Sequence, residues 1–123
     1  MRPVYRDQDP FEEKVAKVAT GIYGAGEVKY DAAALEDLER LRSAGLGDLP
    51  VCIAKTQLSL SDDESLRGAP KGWTLEVRGV RPSAGAGFLV VLAGDIVRMP
   101  GLGAEPAALQ MDVDDSGRIK GLF

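Results

Sequence analysis

The chain has 123 residues, of which 45% are hydrophobic and 28% are charged, the balance of a single globular domain. Nineteen acidic against fifteen basic side chains give a net charge of −4, the wrong sign for general binding to a phosphate backbone. There is no histidine and one cysteine, Cys52, which excludes Ser-His-Asp and Cys-His sites, histidine-ligated metals and an internal disulfide. No apolar run approaches the length of a membrane span, so we expect a soluble, cytoplasmic α/β domain over residues 1–123.

The first predicted helix begins at Asp9. Asp9 as the cap, Pro10 at the first helical position and Glu12 three residues after the cap match a capping box. An apolar face follows at helical spacing, and Gly24 and Gly26 end the helix; the face comprises Phe11, Val15, Val18, Ala19 and Ile22.

The second predicted helix begins at Asp31, a favourable cap. Its apolar stripe consists of three leucines at positions 35, 38 and 41. Gly45 ends it, and Leu46 is expected to fold back on Leu41 in a Schellman motif.

Strands are predicted at 51–54, 73–80 and 88–92, with another short strand at 96–97. The first and third are apolar without alternation, which is typical of strands buried on both faces and makes Cys52 a core residue. In the second, Leu75 and Val77 point inward while Glu76 and Arg78 point outward.

The remaining segments are loops and a hairpin. Residues 55–72 are polar and turn-rich, with one short helix capped by Ser61 and Glu64, and residues 100–108 form a loop. The spacing of Asp112, Asp114 and Ser116 is similar to the start of a calcium loop, but Phe123 occupies the position of the required glutamate. We interpret this segment as the acidic turn of a terminal hairpin. The fold class is therefore α/β: a helix pair packed on a small mixed sheet, followed mostly by strands.

Two segments are candidate binding sites. Ser83, Gly85, Ala86 and Gly87 lie between two predicted strands, where glycine lets the backbone approach a flat or charged ligand closely; a simple tight connection is the alternative, slightly favoured. Lys55 and Gln57 follow a buried strand directly, where ligands often bind in open α/β sheets, although polar residues follow most strands. The sequence contains no Gly-x-x-x-x-Gly-Lys-Ser/Thr motif, so this chain has no phosphate-binding P-loop of its own.

Short stretches in register along nearly the whole chain resemble one enzyme family. They are residues 22–25, 49–57, 58–63, 68–72, 77–81, 83–88, 94–96, 99–102 and 121–123. Together they resemble the C-terminal domain of formate–tetrahydrofolate ligase, also called formyltetrahydrofolate synthetase. The chain departs from the family at Gly103, where proline is common, and at Gly21, where a helix-favouring residue is common.

The resemblance implies an ATP-dependent ligase of one-carbon metabolism, which joins formate to tetrahydrofolate through formyl phosphate and gives 10-formyltetrahydrofolate. It implies ATP with Mg²⁺, tetrahydrofolate as substrate, a monovalent cation, a homotetramer, and the remainder of the ligase polypeptide as partner, with no nucleic acid and no membrane.

The P-loop of that family lies outside the resembling part, so no catalytic residue is expected here and the fragment is expected to be inactive by itself. Because the family pattern keeps 83–88 and 55–57, Gly85, Ala86 and Gly87 are expected to help line a nucleotide or pterin pocket. The alternative is a non-enzymatic module of the same fold that binds a nucleotide or folate, or serves oligomer assembly.

Overall fold

The computed structural model describes residues 3–94, 96 and 107–121, without the side chains of residues 107 and 108. The described part contains two α-helices, a four-stranded sheet and a small hairpin. These elements are α1 (Phe11–Gly21), β1 (Glu27–Tyr30), α2 (Ala32–Ser43), β2 (Val51–Ala54), β3 (Thr74–Ser83), β4 (Phe88–Ala93), β5 (Asp112–Val113) and β6 (Ile119–Lys120). The predicted small α/β fold with a mixed sheet and a terminal hairpin is confirmed.

The order of the sheet strands is β1-β3-β4-β2. The outer pairs, β1 with β3 and β2 with β4, are parallel, whereas the central pair β3 and β4 is antiparallel. The carboxyl ends of β1 and β3 therefore lie at the same end of the sheet as the amino ends of β2 and β4. This arrangement decides which loops can meet.

Both helices pack on one face of the sheet. Alternate residues of β3 and β4 are fully buried there, including Leu75, Val77, Leu89 and Val91, and they share one core cluster with the buried faces of the helices. The helices contribute Phe11, Val15, Ala19, Ala34, Leu38 and Leu41 to this cluster. Burial of this apolar surface is the main favourable term for folding.

The opposite face of the sheet is not covered to the same extent, and here the prediction of strands buried on both faces is wrong. In β4, Leu89, Val91 and Ala93 are buried while the intervening Phe88, Val90 and Leu92 are half-buried. Cys52 pairs with Val90 in the sheet and is exposed, so it is not the core residue that the sequence predicted. The reason is that α1 and α2 lie on the same side, so the fold has two layers.

The two helix starts differ. The Asp31 side chain accepts a hydrogen bond from Ala34 N at 2.8 Å, which confirms the predicted cap of α2. Asp9 does not cap α1, because its carboxylate accepts instead from the amide of Arg6 and from Lys17 Nζ. The predicted capping box is therefore wrong, although α1 ends close to the predicted glycine stop, with Gly24 at φ +78°.

The end of α2 is the predicted Schellman motif. Leu46 N donates to Leu41 O at 2.9 Å, Gly45 N donates to Arg42 O at 2.9 Å, and Gly45 has φ +72°. The apolar stripes are only partly buried: Leu35 of α2 is 52% exposed and Ile22, just after α1, is 53% exposed. Asp37, which is not part of the predicted leucine stripe, is instead buried on α2.

Strand β1 was not predicted from the sequence. It pairs with the first four residues of β3, from Thr74 to Val77, and no other strand of the described part pairs with positions 79–83 of β3 on this side. There the carboxylate of Asp37 accepts a hydrogen bond from Val80 N at 3.1 Å, with Arg81 Nη1 at 3.5 Å from its other oxygen. A side chain of α2 thus satisfies a backbone donor that a longer β1 would have paired.

The loops agree with the prediction only in part. Residues 55–72 form turns, and the predicted short helix is absent because the Ser61 hydroxyl donates to Asp63 O within a tight turn. Ile96 lies in no strand, whereas Val97 and positions 100–106 of the predicted loop lie outside the described residues. The terminal hairpin is confirmed, with Asp114 accepting from Ser116 and Arg118 in its turn.

Candidate functional site

The predicted glycine-rich site is the connection between β3 and β4. Ala84–Ala86 form a single 3₁₀ turn, and Gly87 closes it with φ +74° and a hydrogen bond from its amide to Ser83 O at 2.9 Å. A Cβ atom on Gly85 or Gly87 would meet no atom within 4 Å. The loop is therefore a tight connection, as the alternative interpretation held, and it also presents an exposed backbone without side-chain bulk.

Lys55 is turned inward rather than toward solvent. Its Nζ lies 5.0 Å from the centroid of the Tyr23 ring and donates to the carbonyl oxygens of Thr56 and Ser59. Burial lowers the pKa of Lys55, an effect opposed by the negative charge of Asp62. This lysine ties the start of the 55–72 loop to the end of α1, while Gln57 is exposed.

The two predicted segments lie at opposite ends of the sheet. Ser83 pairs with Phe88 at the start of β4, whereas Lys55 follows Ala54, which pairs with Leu92 near the end of β4. Four to five residues of strand separate them, which is about 15 Å. The structure does not bring Lys55 and Gln57 together with Ser83, Gly85, Ala86 and Gly87, so they form two separate candidate surfaces.

A cavity of about 740 Å³ lies at the Lys55 end, and none of the predicted site residues lines it. It is bounded by the 62–66 turn, by the start of β3 and by Gly94. Three consecutive acidic residues, Asp62, Asp63 and Glu64, form one wall. These acidic residues were the available sequence signal for the cavity. The signal was missed because the contact that places them beside β3, the hydrogen bond from Glu76 N to Asp62, joins residues 14 positions apart.

The charges of this cavity do not suit an anionic ligand. Among the described residues, three acidic side chains of the turn and Glu76 face it together with one cation, Arg78. Two of these carboxylates also serve the fold: Asp62 accepts from Glu76 N at 2.7 Å, and Asp63 accepts from the amide and hydroxyl of Ser65. The Ser65 hydrogen bonds hold the pKa of Asp63 below its usual value, because they stabilise the charged form of this carboxylate.

Trp73, an aromatic residue that could stack on a ligand ring, is used by the fold. It is 9% exposed and belongs to the core cluster, and its Nε1 has no hydrogen-bond partner among the described residues. It therefore presents no open ring face of the kind that binds a pterin or an adenine. Phe88 is half-buried at the start of β4, on the sheet face opposite the helices.

The described residues offer no metal site formed by three or more His, Cys, Asp or Glu side chains. In the same part of the chain, both helices are too short and too polar to cross a membrane.

Comparison with known proteins gives the family. The family model described as formate–tetrahydrofolate ligase matches residues 1–123. A formate–tetrahydrofolate ligase of Symbiobacterium thermophilum is 56% identical over 122 residues, and that of Haloarcula marismortui is 54% identical over 122 residues. The ligase of Haloquadratum walsbyi is 53% identical over 120 residues.

These matches cover 98–99% of this chain but 21–22% of each relative. The chain thus spans about a fifth of the length of the curated relatives that it matches. A model that matches every residue, together with several relatives above 50% identity, shows that this chain belongs to the formate–tetrahydrofolate ligase family.

Proposed function

We propose that this chain works as the C-terminal part of a formate–tetrahydrofolate ligase in the cytoplasm, contributing to the ATP-dependent formation of 10-formyltetrahydrofolate. The observation that carries the proposal is the match over all 123 residues to a family whose members are about five times longer. The chain is then one domain of a larger enzyme rather than a complete catalyst.

In this proposal, phosphoryl transfer is performed by the rest of the ligase. That chemistry needs positive charge and positioned donors around the transferred group. The sequence has no P-loop and no histidine, and the cavity beside the 62–66 turn is lined by acidic side chains. In the same proposal, the rest of the ligase binds the phosphate groups of ATP with the magnesium that they carry. The monovalent cation and the homotetramer of the family belong to the proposal for the whole enzyme.

The ligand-facing element that we propose here is the loop of Ser83, Gly85, Ala86 and Gly87. Its exposed backbone and the open space around both glycines suit the wall of a pocket for a flat ring that is built mainly by the rest of the enzyme. Lys55 and Gln57, at the other end of the sheet, would act on a different surface. The internal contacts of Lys55 favour a role in holding the 55–72 loop.

The test is an assay for 10-formyltetrahydrofolate with ATP, formate and tetrahydrofolate. It compares this chain, the separately expressed rest of the ligase, and their mixture. We expect product only in the mixture, because neither part has the full site. Product from the rest of the ligase at an undiminished rate without this chain would refute the proposal, as would an inactive mixture of two parts that are each shown to be folded.

A further inference from the structure

We propose that the sheet face opposite the helices docks the remaining part of the ligase polypeptide. This inference rests on the proposed function, because its partner is the rest of that enzyme. The apolar part of this face, here called the open-face patch, consists of Cys52 and Ala54 of β2 with Phe88, Val90 and Leu92 of β4.

The residue types of the patch are those of a covered surface. Strands that face water on one side normally alternate apolar and polar residues, whereas strands buried on both sides are apolar throughout. β3 alternates, with Glu76 and Arg78 exposed between buried residues, but β2 and β4 do not. The described helices pack against only one side of β2 and β4. The apolar residues on the other side of these two strands are therefore not covered by a helix of the described part.

The extent of the patch fits one part of a larger interface. Strands β2 and β4 lie about 4.8 Å apart, and their four and six residues make them about 13 and 20 Å long. They cover roughly 160 Å², which is about a fifth of the ~800 Å² that each partner buries in a stable complex. One exposed leucine of the 62–66 turn adds apolar surface beside this face: Leu66 is 45% exposed and lines the cavity together with Glu76 and Arg78.

The partner is inferred from chain length and charge. The matched relatives carry about four-fifths of their length beyond the region that corresponds to this chain, so a large part of the same polypeptide is available to cover the patch in the whole enzyme. A second copy is the competing partner. It is disfavoured because each copy carries a net charge of −4 and an acidic cavity that adjoins the patch.

Cys52 provides the test, since it is the single cysteine of the chain, is exposed, and lies in the patch. The rate of its reaction with N-ethylmaleimide is measured by mass spectrometry of the peptide that contains it. The measurement compares this chain by itself with the complex of this chain and the rest of the ligase, purified by size exclusion and assayed for activity. We expect the rate to fall by more than about tenfold in the complex, because docking would bury the thiol.

The outcomes separate this inference from the proposed function. An active complex in which Cys52 reacts as fast as in the chain by itself would overturn the docking surface and leave the proposed function intact. Protection that grows with the concentration of this chain by itself would identify a second copy as the partner and would also overturn it. Failure to form any complex from folded parts would overturn both.

A charge substitution gives a second, independent readout. Cys52→Glu places a carboxylate in the patch at an exposed position, so the chain should fold normally while docking buries an unpaired charge. We expect its affinity for the rest of the ligase to fall by about tenfold or more. Leu35→Glu is the matched control on the outer side of α2, where Leu35 is 52% exposed, and its affinity should stay within about twofold. Equal effects of both variants would contradict the assignment of the face.

Discussion

The β3–β4 loop allows a test of the proposed ligand wall that separates folding from binding. Gly85 and Gly87 both have open space where a side chain would project. They differ in backbone conformation, because Gly87 has φ +74° and Gly85 is not among the glycines with positive φ. Valine at the two positions therefore adds the same group to the same loop with different consequences for stability.

The expected stability change follows from this difference. An L-residue in the left-handed region costs about 1–2 kcal/mol, so Gly87→Val should destabilise the chain by at least that amount. An unfolding entropy of about 2.1 cal/mol/K per residue over 123 residues is about 0.26 kcal/mol/K. The melting temperature should thus fall by about 4–8 °C for Gly87→Val. Gly85→Val should change the free energy of unfolding by less than about 0.5 kcal/mol.

Binding is then measured with Gly85→Val in the active mixture of this chain and the rest of the ligase. If the loop forms a wall of the ligand pocket, the added isopropyl group obstructs the ring and the KM for ATP or tetrahydrofolate rises by about tenfold, which corresponds to about 1.4 kcal/mol. Unchanged KM values for both substrates would refute the ligand wall. A Gly85→Val chain as unstable as Gly87→Val would refute the conformational reasoning.

Two further predictions concern stability, measured by urea unfolding. Asp37→Ala leaves the buried amide of Val80 without its acceptor and should lower the free energy of unfolding by about 1–3 kcal/mol. The control, Glu36→Ala at the exposed neighbouring position, should lower it by less than about 0.5 kcal/mol. Similar decreases for both variants would contradict this role of Asp37. Hydrogen bonds from Lys17 and the Arg6 amide hold the pKa of Asp9 well below its ordinary value of 3.8, so its contribution to stability is present above that pH and is lost as the pH falls through and below it. The stability difference between the native chain and Asp9→Asn should therefore shrink on acidification, and a constant difference from neutral pH to pH 3 would contradict the ion-pair account.

Features encoded by local sequence were predictable. The Asp31 cap and the Gly45–Leu46 ending of α2 depend on residues within a few positions of each other, and both have the expected hydrogen bonds. β2 has the predicted bounds because a short apolar run between turn residues has few alternatives. The family resemblance was likewise visible in short motifs, and the comparisons confirm it.

Features that depend on distant partners were not predictable in the same way. β1 is four residues long with two charged side chains, and it is a strand because β3 pairs with it. Asp9 is a case with near partners: it satisfies the capping pattern, but Arg6 and Lys17 donate to its carboxylate instead, and the pattern does not rank these competing donors. The distance between Lys55 and Ser83 depends on the mixture of parallel and antiparallel pairs in the sheet, which no local pattern specifies.

The hydrogen bond from Val80 N to Asp37 also has a consequence for solubility. The unpaired edge of a sheet is a template on which another extended chain can add a strand, and natural proteins block such edges to avoid aggregation. As far as the described strands show, positions 79–83 of β3 form an edge of this kind, and α2 places the carboxylate of Asp37 directly on it. An incoming strand would have to displace Asp37 and leave its charge buried without that partner. Although β1 is short, the Asp37 carboxylate therefore protects the part of the β3 edge that β1 does not cover. This protection would oppose self-association through added strands while the chain is being synthesised.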